Sequence, residues 1–233
     1  MSLKIGIVGL PNVGKSTLFN ALTKKSVPAE NFPFCTIDPS VGVVAVPAER
    51  LLKLGIFSKS EKTIPASVEF VDIAGLVRGA SEGEGLGNQF LAHIREVDVI
   101  AQVIRLFDDP DIVHVHGEVN PLDDITVINL ELVMADLETV TKRTVKTEKE
   151  LKRGDKEAKK EFEILEQIKA LLESGKLANH YKPKDEQEEK IVKSLHLLTS
   201  KPVLYVLNKK AGATNLDEQN DERYQELVKF FKD

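Results

Sequence analysis

Apolar residues along this 233-residue chain fall into two kinds of pattern. Five short runs rich in β-branched residues lie at 4–9, 41–46, 68–72, 99–104 and 202–207, bounded by glycine, proline or charge. Runs of that length and composition predict strands. Between them the period changes, and residues 17–22, directly after the first run, carry apolar side chains at helical spacing. Nearly continuous apolar strands alternating with helical stretches predict an α/β fold whose mostly parallel sheet is covered on both faces.

Residues 127–177 differ in character. Leu130, Val133, Met134, Leu137 and Val140 recur at helical spacing, Gly154-Asp155 interrupts, and Phe162, Leu165, Ile168 and Leu172 resume the pattern. An antiparallel helical hairpin inserted between the last two strands is expected. It is expected to divide the chain into a first sheet-forming part at 1–126, a coiled-coil insertion at 127–186 and a last part of the same domain at 187–233. Charge singles out the hairpin tip. Residues 142–160 hold nine bases against four acids, a local +5 within a chain whose net charge is −5. The acidic total excludes attraction to nucleic acid by bulk charge alone but leaves this tip as a candidate contact for RNA or a ribosome. A solvated charged coiled coil is the plainer reading of the same residues. The single cysteine, Cys35, cannot form an internal disulfide. The apolar opening at 3–10 is too short and glycine-rich for a signal sequence or a membrane span. A cytoplasmic setting without a membrane partner is expected.

Gly9-Leu10-Pro11-Asn12-Val13-Gly14-Lys15-Ser16 matches the P-loop pattern GxxxxGKS, after a predicted strand and before a predicted helix. The glycines let the backbone N–H groups of Asn12, Val13, Gly14 and Lys15 turn inward around a phosphate, aided by the positive end of the following helix. Lys15 would meet the β- and γ-phosphates, Ser16 would ligate Mg²⁺, and Thr17 would add a phosphate hydrogen bond. Asp72-Ile73-Ala74-Gly75 ends another strand as DxxG, which gives Mg²⁺ a second ligand in Asp72 and the γ-phosphate an N–H from Gly75. Thr36, in a proline-bounded loop at 32–39, is the candidate switch residue closing over Mg²⁺ and the γ-phosphate. Cys35 beside it reads as a small packing residue. The glycines at 79–87 lack the spacing of a dinucleotide fingerprint and read as a second switch.

Three stretches, GLPNVGKST at 9–17, NFPFCTIDP at 31–39 and VDIAGLVRGASEGEGLGNQF at 71–90, resemble the YchF family of Obg-like ATPases among the translation-factor P-loop proteins. The resemblance reaches to about residue 207. It implies a Ras-like nucleotide domain with a coiled-coil insertion, normally followed by a TGS-type domain that is expected to lie beyond this chain. It also fits Leu76, which stands where many switch GTPases carry a water-orienting glutamine. Hydrolysis by the nucleotide domain alone should then be slow or use a group from elsewhere, and the histidine candidates are His93, His114 and His116. The resemblance favours His114, delivered by a mobile loop to the γ-phosphate. The last strand ends Asn208-Lys209-Lys210-Ala211, which has the first two letters of NKxD but not the acid that reads guanine. Losing that acid removes the paired hydrogen bonds on which guanine selectivity rests. The family's usual NxxE is also absent, so Asn208 is the one base-side residue carried over. ATP is expected over GTP as the ligand. A nucleotide kinase is disfavoured, since no second substrate site or arginine-rich lid is visible.

Overall fold

The computed structural model describes residues 2–23, 40–73, 86–114, 117–212, 215–219 and 221–232. The five predicted strands are present as β1 (Leu3–Val8), β2 (Ser40–Ala45), β3 (Ser67–Asp72), β4 (Val99–Arg105) and β5 (Val203–Asn208). They form one sheet in the order β2-β3-β1-β4-β5, with β2 antiparallel to β3 and every other pairing parallel. The helices are α1 (Lys15–Thr23), α2 (Glu49–Phe57), α3 (Leu86–Glu96), α4 (Pro121–Lys152), α5 (Lys156–Glu173), α6 (Glu186–Ser194) and α7 (Glu222–Phe230).

Strand β1 lies between β3 and β4, and its register pairs Ile7 with Asp72. The loop leaving β1 therefore opens at the same sheet edge as the acid ending β3, the carboxyl edge at which open α/β sheets take ligands. Ile7, Val8, Phe19, Ile73, Ile94 and Ile100 pack the main core at 0–1% exposure, each worth about 1.5–3 kcal/mol of transfer free energy. Among the described residues no helix is long and apolar enough to cross a membrane.

Helix α4 starts at Pro121, six residues before the expected hairpin boundary. The cause is a strong start signal: Asn120 caps by accepting from the amides of Leu122 and Asp123, and proline occupies the first turn. The helix also joins three apolar clusters, with Ile125 packing against Ile104, Leu106, Leu216 and Leu227 in one of them. Ile128, Leu132 and Ala135 pack with the sheet, whereas Val133 and Val140 join Ile164, Leu165, Ile168 and Leu172 of α5 in a second cluster. The hairpin turn falls where the sequence places it. Gly154 adopts φ +90°, and Asp155 caps α5 by accepting from the amides of Glu157 and Ala158.

Candidate nucleotide-binding site

The loop after β1 is shaped by close contacts that leave no room for side chains. A Cβ on Gly9 would stand 2.6 Å from the Val103 carbonyl oxygen of β4. Gly14 has φ +96°, and a Cβ there would stand 2.2 Å from Asn208 Nδ2. Both positions require glycine. Asn12 takes φ 63°, a left-handed conformation that asparagine tolerates better than most residues. The Val13 side chain is fully buried in the core, so only its backbone serves the loop.

Lys15, at the first position of α1, is 8% exposed and donates from Nζ to the Leu10 carbonyl across the loop, at 2.8 Å. Burial lowers its pKa to about 8, against a smaller upward pull from the Asp72 carboxylate. Next to it, Ser16 Oγ donates to Asp72 Oδ2 at 2.9 Å. Asp72 is 2% exposed, and burial raises its pKa despite the Ser16 hydrogen bond and the Lys15 charge. The sheet has thus brought together Lys15, Ser16 and Asp72 from two sequence-distant motifs. Among the described residues no group of three or more His, Cys, Asp or Glu side chains could hold a metal by itself. One hydroxyl and one carboxylate suit Mg²⁺, which keeps several waters and takes phosphate oxygens to complete its octahedron. Thr17 stands exposed in the first turn of α1. Thr36, Gly75, Leu76, Cys35 and His116 lie outside the described residues.

His114 departs from the sequence expectation. It is 6% exposed, and its Nε2 lies 3.2 Å from Asp124 Oδ2 in the first turn of α4. The segment carrying it is pinned on several sides. Buried Arg105 donates from Nε to the Phe107 carbonyl at 2.8 Å, from Nη1 to Ile112 at 3.1 Å and from Nη2 to Asp109 at 3.3 Å. Asn12 Nδ2 donates to the Val113 carbonyl at 3.1 Å, which ties this segment to the P-loop. Arg223 Nη1 donates to the Val119 carbonyl at 2.8 Å. The histidine expected on a mobile loop is instead an inward-facing one. The reason is a buried cation and a buried carboxylate that the apolar pattern does not reveal. His93, the other described candidate, lies on α3 and is half-buried.

Asn208 closes the site from β5. Its Nδ2 donates to the Val13 carbonyl at 2.8 Å, so the residue expected to read the base also braces the P-loop. Lys209 turns away into ion pairs with Asp217 at 2.8 Å and Glu218 at 2.7 Å. Sequence reasoning missed a further buried acid. Asp136 on α4 accepts from the amides of Leu198 and Thr199 and from Thr199 Oγ1, at 2.9, 2.8 and 2.7 Å, and so holds the approach to β5. The Asn120-Pro121 pair followed by two aspartates was the available signal for the early start of α4.

The sequence pattern described as a 50S ribosome-binding GTPase matches residues 4–142 of this chain. The chain is 58% identical over 208 residues to the ribosome-binding ATPase YchF of Bacillus subtilis, covering 89% of this chain and 57% of that protein. It is 48% identical over 229 residues to the protein of the same name from Mycoplasma genitalium, covering 98% and 61%. The solved YchF GTPase of Schizosaccharomyces pombe superposes with a TM-score of 0.73 at 40% identity, covering 98% of this chain and 61% of that one. The chain therefore spans about three-fifths of the length of these relatives. With the family pattern matched over residues 4–142 and these identities along most of its length, the chain belongs to the ribosome-binding GTPase family, in its YchF branch.

Proposed function

We propose that this chain binds a nucleoside triphosphate with Mg²⁺ and hydrolyses it slowly as a conformational switch, with ATP favoured over GTP. The observation that carries this reading is the pairing of a buried, desolvated Lys15 with the Ser16–Asp72 contact at the P-loop. Lys15 would exchange the Leu10 carbonyl for β- and γ-phosphate oxygens, and Ser16 and Asp72 would hold Mg²⁺, with Thr36 as the switch ligand. Bound Mg²⁺ supplies charge neutralisation between the β- and γ-phosphates. The amides of residues 12–15 and the hydroxyl of Thr17 would cradle the phosphates, and Gly75 would contact the γ-phosphate. His114 would assist the attacking water in place of the side chain that Leu76 cannot supply. Preference for ATP follows from Ala211, which cannot accept the two guanine N–H groups. The relatives carry both labels, ATPase in the bacterial proteins and GTPase in the yeast one.

The bacterial relatives are named ribosome-binding, and the hairpin tip is the surface of this chain that suits such a partner. Exposed Lys149, Arg153 and Lys159 make no ion pair among the described residues there, whereas Lys142, Lys146 and Lys152 pair with Glu138, Glu150 and Glu148. Titration calorimetry with non-hydrolysable ATP and GTP analogues in Mg²⁺ tests the ligand, and single-turnover hydrolysis by His114→Ala tests the histidine. ATP binding at least as tightly as GTP, with a slowed variant of unchanged affinity, is expected. A clear GTP preference overturns the base assignment, and an unslowed variant overturns the role of His114.

A further inference from the structure

The nucleotide reading above uses His114 but not Asp124, the buried carboxylate held against it. The two side chains are 3% and 4% exposed, with Nε2 and Oδ2 3.2 Å apart. They come from different elements. His114 lies on the segment that Arg105 and Asn12 hold, and Asp124 is set by the capped start of α4. The Arg105 guanidinium feels the charges of Asp109 and Asp108 and, more weakly, that of Asp124.

A carboxylate only accepts hydrogen bonds. An imidazole held against it therefore donates from Nε2, which fixes the ring's rotation. Such a partner matters for catalysis because a histidine free to rotate or change tautomer spends part of its time in arrangements that transfer no proton. From this geometry we propose that Asp124 is a positioning residue for triphosphate hydrolysis, holding the His114 imidazole in one orientation and in the tautomer with hydrogen on Nε2. The inference rests on the assignment of hydrolysis to His114. Helix α4 thereby acts on the reaction through His114, since the carboxylate that sets the histidine belongs to the helix that runs on to the hairpin tip.

The test uses the full chain carrying Asp124→Asn, His114→Ala or both, in single-turnover hydrolysis of ATP with binding of a non-hydrolysable analogue measured in parallel. Asp124→Asn should slow the chemical step at least about tenfold, a part of the 10²–10⁴ that a positioned acid–base group supplies, with analogue affinity within about twofold. The double variant should be no slower than His114→Ala alone. Long-range ¹H–¹⁵N correlation on the imidazole should show the Nε2–H tautomer in the unmodified chain and a mixture in Asp124→Asn. Asp124→Ser, read by the same assays, keeps the question answerable if the amide is not accommodated in the fold. Asp124→Asn hydrolysing at the unmodified rate while His114→Ala is slow overturns the positioning role and leaves the histidine standing. His114→Ala at the unmodified rate overturns the histidine assignment itself and the proposal with it. Multiplying losses in the double variant overturn it too, because Asp124 would then act apart from His114.

Discussion

Replacing Lys15 by methionine should stabilise the ligand-free chain while abolishing triphosphate binding. In the folded chain burial lowers the Lys15 pKa to about 8, against 10.5 for a free side chain. At pH 7 the fold therefore holds a charged ammonium at a cost of roughly 3 kcal/mol, from 1.36 kcal/mol per unit. Methionine removes that cost and forfeits the hydrogen bond to the Leu10 carbonyl, worth about 1 kcal/mol. The net gain is about 2 kcal/mol, or roughly 4–8 °C in Tm for a chain of this size. The pH dependence isolates the cause. Between pH 8 and 10.5 the unfolded chain holds a proton on Lys15 that the folded chain has shed, so unmodified stability rises with pH through this window. Below pH 8 both states are protonated and the penalty is constant. The advantage of Lys15→Met should accordingly shrink from pH 8 upward, vanish at about pH 9.5 and give way to a deficit of about 1 kcal/mol by about pH 10.5. Guanidinium denaturation followed by circular dichroism on both proteins at half-unit steps measures the difference and cancels the other lysines. Phosphate oxygens arriving at Nζ would restore the proton, so ATP analogue binding at pH 9 should take up close to one proton, read from calorimetry in buffers of different ionisation enthalpy. A variant less stable than the unmodified chain at pH 7, or an identical pH slope in both, refutes the reasoning.

Two further outcomes follow from the contacts of α4. Asp136→Ala strands the amides of Leu198 and Thr199 in a buried setting and should cost about 2–4 kcal/mol, seen as a lower urea midpoint at unchanged m-value; a loss below about 1 kcal/mol would count against the role given to this carboxylate. Charge reversal at Lys149, Arg153 and Lys159 should weaken association with purified ribosomes at least about tenfold at low salt and flatten its dependence on salt concentration, whereas unchanged binding by sedimentation removes the tip from the interface.

The sheet and the phosphate loop were legible because their signals are local. A strand ending in glycine, a GxxxxGKS spacing and an acid at the end of a parallel neighbour each announce themselves within a few residues. The long helix was half legible: its apolar repeat from Leu130 onward stood out, but its first turns at 121–126 are rich in acids and carry little apolar period. Burial of Asp124 and Asp136 is a tertiary outcome, since each acid bonds to a sequence-distant or separate segment rather than to solvent. The same holds for His114, whose enclosure depends on Arg105 gathering three carbonyls beneath the segment. Side chains of this kind look solvated in sequence because charged residues ordinarily are.

Helix α4 has one end in the sheet's core and the other beyond the second core, with no proline or glycine after Pro121 to bend it. Its 32 residues span about 48 Å at 1.5 Å per residue. It is geared like an indicator needle on a short pivot: the turns at Ile128–Ala135 rest on the sheet, and some 17 residues, about 25 Å, project past them. A tilt of roughly 5° at the pivot carries the far end through about 2 Å over that projection. A displacement too small to rearrange the sheet's packing would thus arrive at the basic tip as a step comparable to half the spacing between neighbouring strands.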